Sequence, residues 1–310
     1  MRDLNRLVVT AIVLASACPI THAQTLRYQH KDGDKFHYVL QQETTTTTSV
    51  KGESSESKLT VVWDLGWNVL KVDSAGTAQL QIRIERARIF VEGPAGKAAA
   101  DSADKNEPQD NLRRSLTTSA KIMAALDLRG TILATGEMKD VKLTPEAIKT
   151  IKELNGGAGN ADELLNSDMC KSMLFAPVLA SGSIAKGKTW TSKNEIHFAA
   201  YKAMIENTYT FEGQDEKAKE NEKDKGKDKD KVKLDRIAVK PTMKLEPVAK
   251  APVKVQLKDH KGSGHVLFDN KAGRVVESVV NQRSEMSLEA MGATVNQTIE
   301  QRTVVQFKDK

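Results

Sequence analysis

The stretch that most constrains the fold is Leu59 to Val69, where every odd position is apolar: Leu59, Val61, Trp63, Leu65, Trp67 and Val69. Thr60, Asp64, Gly66 and Asn68 stand among the even positions. A period of two belongs to a β-strand with one buried face, and a helix of period 3.6 does not satisfy it. Trp63 and Trp67 therefore point the same way. Thr77 to Val91 repeats the pattern with Ala78, Leu80, Ile82 and Ile84, after which the apolar phase slips to Ala87, Ile89 and Val91. A slip of one residue inside a long strand predicts a bulge near Arg86. Lys35 to Val50, with Phe36, Tyr38 and Leu40 ahead of Thr44 to Thr48, reads as a further strand, because β-branched threonine suits a half-exposed pleat. Lys51-Gly52 and Ser74-Ala75-Gly76 supply the turns of an antiparallel meander.

The middle of the chain changes period. Leu112, Leu116, Ser119, Met123 and Leu126 fall at helical spacing, ahead of a turn expected at Arg129-Gly130. Thr144 is a good N-cap with Pro145 in the first helical position, the stripe Ile148, Ile151, Leu154 follows, and Gly156-Gly157 stops it. A third helix is expected from Asp162 to Phe175, carrying Leu165, Met169 and Met173, with Cys170 packed among them as a core thiol.

Strands return at Gly187, and their opening resembles the earlier one. Lys31-Asp32-Gly33 leads to Phe36 as Lys186-Gly187 leads to Trp190, and Asp127 to Ile132 matches Asp269 to Val275 in its aspartate, glycine and aliphatic residue. Lys261-Gly262-Ser263-Gly264, Asn270 to Gly273 and Met291-Gly292 then read as turns of a second long meander. The expected fold class is α+β, mostly antiparallel β: long curved sheets from two related β-rich halves with about three central helices packed on them. The halves would be 24–143 and 186–310, with 144–185 as the helical middle.

Composition narrows the function classes. Among 310 residues, 39% are hydrophobic, enough for a core, which excludes wholesale disorder and a polytopic membrane protein. Two cysteines exclude a disulfide scaffold and a Cys-rich metal site. The balance of 47 basic to 41 acidic residues leaves +6, too small an excess to call for nucleic acid. Gln214 to Lys233 is a mixture of lysines and acids with almost nothing apolar, so it cannot offset the entropy of ordering and reads as a solvated hairpin tip. Leu234 to Lys261 is basic and marked by Pro241, Pro247 and Pro252. Lysine and proline guard edge strands against unwanted pairing, and this reading is preferred to a surface for an anionic envelope polymer or lipid head group.

Met1 to Ala23 reads as a secretory signal. Arg2 and Arg6 give a positive start, Leu7 to Ala17 is almost entirely apolar, and Thr21-His22-Ala23 places small residues for cleavage between Ala23 and Gln24. The apolar run is well short of the ~20 residues that span a bilayer, and no other segment approaches that length. A rival processing event rests on Leu14-Ala15-Ser16-Ala17-Cys18, a loose version of a lipoprotein box, and would lipidate Cys18. Either route exports the chain to the periplasm, the outer envelope or the medium, with no transmembrane segment in the mature protein.

The parts needed for common chemistries are missing. His30, His37, His197, His260 and His265 survive cleavage, and only His260 and His265 lie close in sequence, with Asp259 and Asp269 nearby. A spacing of five has no standard ligand geometry, so solvated hairpin histidines are expected. There is no His-Glu-x-x-His, no Gly-x-Ser-x-Gly, no phosphate-cradling loop and no calcium loop. No catalytic residue, cofactor or metal site is nominated. Scattered carboxylates leave open a glycosidase-like pair that no local spacing picks out.

Six features taken together resemble an uncharacterised secreted bacterial family, domain of unknown function 6263. They are Lys31-x-Gly33-x-Lys35-Phe36-His37-Tyr38, the threonine run Thr44 to Thr48, Trp67-x-Val69-x-x-Val72-Asp73-x-x-Gly76, Gly93-Pro94-x-Gly96 leading to Asp101-Ser102, Lys186-Gly187-x-x-Trp190, and Phe268-Asp269-x-x-x-Gly273-Arg274. The resemblance implies export and a β-rich body, with no activity or catalytic residue to carry over. The chain departs from that pattern in its charged insert and at Ala98 to Ala100. The expected function is a non-catalytic envelope protein that binds an amphiphilic ligand, such as lipid, or a partner envelope protein on an open β-sheet. The alternatives are a hydrolase of envelope polymers and a structural surface protein.

Overall fold

A computed structural model describes residues 23–106, 108–155, 176–198, 200–218, 231–248, 253–290 and 293–309. In chain order the elements are β1 (Gln24–Thr25), β2 (Lys35–Val50), β3 (Glu53–Val72), β4 (Ala78–Gly93), β5 (Gly96–Asp101), α1 (Asn111–Ala124), β6 (Asp127–Ile132), β7 (Met138–Leu143) and α2 (Pro145–Leu154). They continue with β8 (Ser183–Ile184), β9 (Thr189–His197), β10 (Tyr201–Ala218), β11 (Lys231–Pro247), β12 (Lys254–Asp269), β13 (Arg274–Ala290) and β14 (Ala293–Lys308).

These strands correct the expected fold class. The molecule is mostly β: one antiparallel sheet of 12 strands runs β7-β6-β4-β3-β2-β14-β13-β12-β11-β10-β9, with β5 beside β4. Only two helices lie among the described residues, and the third expected helix falls outside them. The reason is the pairing of the last strand with the first long one, from Val295↔Val50 to Lys308↔His37. That ladder joins the two ends of the chain into one sheet, so the two regions share one buried face. The internal resemblance is also uneven. Gly33 and Gly187 both take positive φ at the turn opening a strand, whereas Gly130 lies inside β6 and Gly273 in the β12–β13 turn.

The alternation is observed over most of the expected span, although Leu59, at its start, is exposed. Val61, Trp63, Leu65, Trp67 and Val69 are buried along β3, and the bulge in β4 falls at Glu85, between Arg86 opposite Asp64 and Ile84 opposite Leu65. The sheet is strongly curled. Trp63 on β3 and Ile196 on β9 line one cavity, although they are seven strand steps apart in the sheet order. On a flat sheet that would be about 34 Å.

Gly262 and Gly264 are not a turn, because β12 runs straight through them. A Cβ on Gly264 would lie 2.2 Å from the carbonyl oxygen of Val279, and one on Gly262 would lie 2.3 Å from Cγ of Pro241. Glycine here permits a close approach of neighbouring chain. Near these glycines the sheet splits. β11 and β12 pair only from Asp235↔Phe268 to Val239↔Gly264. Beyond it β11 pairs with β10 alone as far as Tyr201↔Pro247, and β12 with β13 alone as far as Lys254↔Glu289. The lysine- and proline-marked stretch thus has one side paired and one side open, and Pro241 has no N–H to offer across the split.

Chain outside the strands closes the end away from the split. Leu26 and Tyr28 are buried there; Tyr28 N–H donates to Ala134 O (2.9 Å), its hydroxyl donates to Pro177 O (3.2 Å), and Gln29 N–H donates to Gly273 O (3.1 Å). Helix α1 packs on β4 and β5 and touches α2. Asp110 caps α1 by accepting from Arg113 N–H (2.8 Å), and Thr144 caps α2 by accepting from Ala147 N–H (3.3 Å). The buried positions of α1 are Thr117 and Ala120, while Leu112 of the expected stripe is exposed.

Candidate functional site

The residues singled out by sequence do not converge on one site. Cys18 and Cys170 lie outside the described residues. Ala23 is exposed, and the side-chain amide of Gln24 donates to Asp235 Oδ1 (2.5 Å). Asp235 is buried, which pushes its carboxyl above the usual range, while hydrogen bonds from Gln24 and Gln214 pull it back. His260 and His265 are not solvated hairpin residues. They sit in continuous β12, five apart and therefore on opposite faces. Nδ1 of His260 bonds Ser284 Oγ (2.9 Å), and Nε2 of His265 meets Glu277 Oε1 at 3.3 Å. Among the described residues no group of three His, Cys, Asp or Glu side chains is placed to hold a metal ion.

What the curled sheet does assemble is a cavity of about 630 Å³ on its inner face. One wall comes from β9, β10 and β11, which swing over at the split and present Ile196, Ile205, Met243 and Leu245. The opposite wall comes from β2, β13 and β14 and presents Val280, Met286 and Ile299 among Gln42, Gln282, Gln301 and Thr303. Ala176, Pro177 and Val178 close one end. Beneath it runs a cross-strand row in which Trp63, Leu40, Val305, Ser278, Val266 and Ile237 stand opposite one another in turn, and of these Trp63, Leu40, Ser278 and Val266 line the cavity. Alternation puts all of them on one face.

The chemistry of this lining is distinctive. Among the described residues, no Lys, Arg, His, Asp or Glu lines the cavity. Its only titratable side chains are Tyr201 and Tyr209, and burial pushes both phenols above their ordinary value. Among the described residues that line it there is no carboxylate pair.

The outer face is the opposite. Arg283 bridges Glu300 (2.8 Å) and Glu285 (3.0 Å), Lys261 meets Asp259 (2.9 Å), and Arg88 meets Asp64 (2.7 Å). This surface carries ion pairs where the inner face carries none among the described residues that line the cavity. No helix among the described residues is long and apolar enough to cross a membrane.

No protein-family model matches the chain, and no curated protein matches it. Among solved structures it is similar to one of lipid–protein interactions in lipovitellin, at 11% identity and a TM-score of 0.41, covering 90% of this chain and 25% of that one. The chain thus spans about a quarter of the length of lipovitellin. It is also similar to the COG4313 outer membrane channel from Pseudomonas putida F1 (8% identity, TM-score 0.24, covering 91% and 97%). A third likeness is to OpdQ from Pseudomonas aeruginosa (7% identity, TM-score 0.22, covering 88% and 99%). At these TM-scores none of the likenesses bears on what the chain does.

The cavity was only partly visible from sequence. The inward direction of Trp63 follows from alternation, but the opposite wall depends on β11 leaving β12 at Pro241 and Gly262, and no local pattern encodes that split.

Proposed function

We propose that this is an exported, non-catalytic envelope protein that holds an amphiphilic ligand in the cavity between its split strands. Membership of the secreted family that the sequence resembles is part of this reading. The observation that carries it is the lining: a 630 Å³ space without a charged side chain, apolar on both walls and interrupted by uncharged amides and hydroxyls. Ligand sites of this kind are mostly apolar with a few placed polar groups. At ~30 Å³ for a water-sized group the space accommodates roughly 20 methylenes, the size of one long acyl chain or two short ones. The split supplies a way in, because a chain can slide between β11 and β12 without breaking a ladder hydrogen bond.

Native mass spectrometry of the protein purified from its own envelope tests this directly, with a co-purified amphiphile as the expected result. A bare protein that, once delipidated, also takes up no fluorescent fatty acid would rule the function out. The structural-protein alternative would then stand.

A further inference from the structure

The two ends of the sheet are built from different residues. At the closed end the turns carry aspartates that accept from their own backbone: Asp34 from Lys31 N–H (2.8 Å), Asp73 from Ala75 and Thr77 N–H (both 2.9 Å), and Asp269 from Ala272 N–H (2.9 Å). At the end where β11 has left β12, apolar residues take over. Near the tips of the main wall Val50, Val295, Leu288 and Val255 form a cross-strand row, each opposite the next. Alternation puts this row on the same inner face as Gln42, Ile299 and Met286, which line the cavity. On the swung strands Phe198 stacks on Tyr201 with ring centroids 4.7 Å apart, and Val248 N–H donates to Ala200 O (3.1 Å). The tip between β9 and β10 and the end of β11 are thereby tied into one unit. Val50 and Phe198 are 38% exposed and Val248 is 43% exposed. Both lips run on into the cavity, because Phe198 and Tyr201 line it themselves and Met286 stands two residues before Leu288.

We infer that this open end is a docking rim for a lipid surface, which sets Val50, Phe198 and Val248 into the interface and brings the mouth of the cavity against the lipid. This rests on the ligand-holding function proposed above and names the partner that the same mouth meets. The rim side chains stand on separate strand ends around an opening. A fluid interface fills such a contour, whereas a rigid protein partner would have to match each tip in turn. Interfacial binding grows with the apolar area buried, and an aromatic ring with a polar tip, as at Tyr201, suits the boundary between headgroup and acyl chain. Charge around the rim is close to balance. Glu92 meets Lys97 (2.7 Å), Glu246 meets Lys202 (3.2 Å), Glu289 stands opposite Lys254, and exposed Lys51 and Glu53 flank one turn. Apolar contact is therefore what the rim offers, and a zwitterionic surface suffices.

The test is flotation of the mature chain with phosphatidylcholine vesicles, with and without phosphatidylglycerol, beside uptake of a fluorescent fatty acid in vesicle-free buffer. The parent is expected to float with both kinds of vesicle and to stay bound in high salt. Val50→Ser and Val248→Ser should each weaken vesicle association about fivefold, the scale of burying part of one valine. Neither residue lines the cavity, so both variants should take up the fatty acid as the parent does. Leu70→Ser is the control. At 46% Leu70 is as exposed as the rim residues, but it lies near the closed end of β3, and its loss should leave flotation unchanged. A parent that takes up the fatty acid yet stays off both kinds of vesicle would assign the rim to a protein partner and overturn this inference, with the carrier function intact. Flotation only with phosphatidylglycerol and release by salt, or an equal loss from Leu70→Ser, would overturn it as well. Flotation that depends on Val50 and Val248 without any fatty acid uptake would remove the carrier function and leave the rim standing.

Discussion

Two seams of the same sheet behave differently. Where β14 meets β2, strands from the two ends of the chain pair without interruption from Val295↔Val50 to Lys308↔His37. Where β11 meets β12, neighbours in sequence pair from Asp235↔Phe268 to Val239↔Gly264 and then part. Closeness along the chain therefore does not decide which seam closes. The long seam is rich in threonine, glutamine and valine on its two strands, with β-branched residues that suit a pleat. The short seam meets Pro241 on one strand and Gly262 on the other, and the proline ring occupies the space where a Cβ would stand. The first seam holds the sheet together, and the second opens it into a cavity.

The largest effect is expected where the split begins. Gly264→Val would drive a side chain into Val279 O and the Val280 backbone, atoms that cannot move without breaking the β12–β13 ladder. A loss of about 4 kcal/mol, or no soluble protein, is expected in urea unfolding, because overpacking against rigid backbone is among the strongest single-site lesions. Gly262→Ala meets chiefly the Pro241 ring on a strand free to shift, and should cost about 1 kcal/mol. Equal costs at the two glycines would mean that β11 is held as rigidly as β13, contrary to the split. Next in size, Met286→Glu places a charge on the inner wall opposite the swung strands and should weaken amphiphile binding about a hundredfold. The outward substitution Glu285→Gln should leave binding unchanged.

Hydrogen exchange compares the seams directly. Amides of β14 are bonded on both sides, so its central positions should exchange only on global opening. Those of Lys240 to Glu246 that point toward β12 should exchange far faster, and should slow when ligand fills the cavity. Uniform protection across β11 would show that the split is closed in solution.

The contrast also explains what could be read in advance. The cores of β3 and β4 were legible, with the bulge expected near Arg86 falling one residue away at Glu85, because burial of alternate side chains writes itself into local sequence. The joining of β14 to β2 was not, since register between strands some 250 residues apart depends on the curl of everything between. Gly262-Ser263-Gly264 was misread as a turn for a definite reason: glycine serves both tight turns and close backbone approach, and sequence shows only the residue. Leu112 illustrates the opposite error, an apolar residue at helical spacing that stays largely exposed. At the cavity, Trp63 could be aimed from its alternation, but the opposite wall depends on the split.

The smallest expected effect concerns the closed end of the short seam. Asp235 heads that ladder opposite Phe268, is buried, and accepts a hydrogen bond from Gln24. Burial raises its carboxyl above the ordinary value of 3.8, with nearby Asp269 adding a further push upward. A raised carboxyl favours the folded state only while it is protonated. Its stabilising contribution is full below the ordinary aspartate range and is lost as pH rises through the folded value. Asp235→Asn keeps the acceptor for Gln24 and removes the charge, so it should match the parent in Tm near pH 3 and exceed it progressively up to neutral pH. A variant less stable than the parent at pH 7 would instead mean that the carboxylate is held by its hydrogen bonds more strongly than burial opposes it. The anchored end of the seam would then owe its closure to that charge.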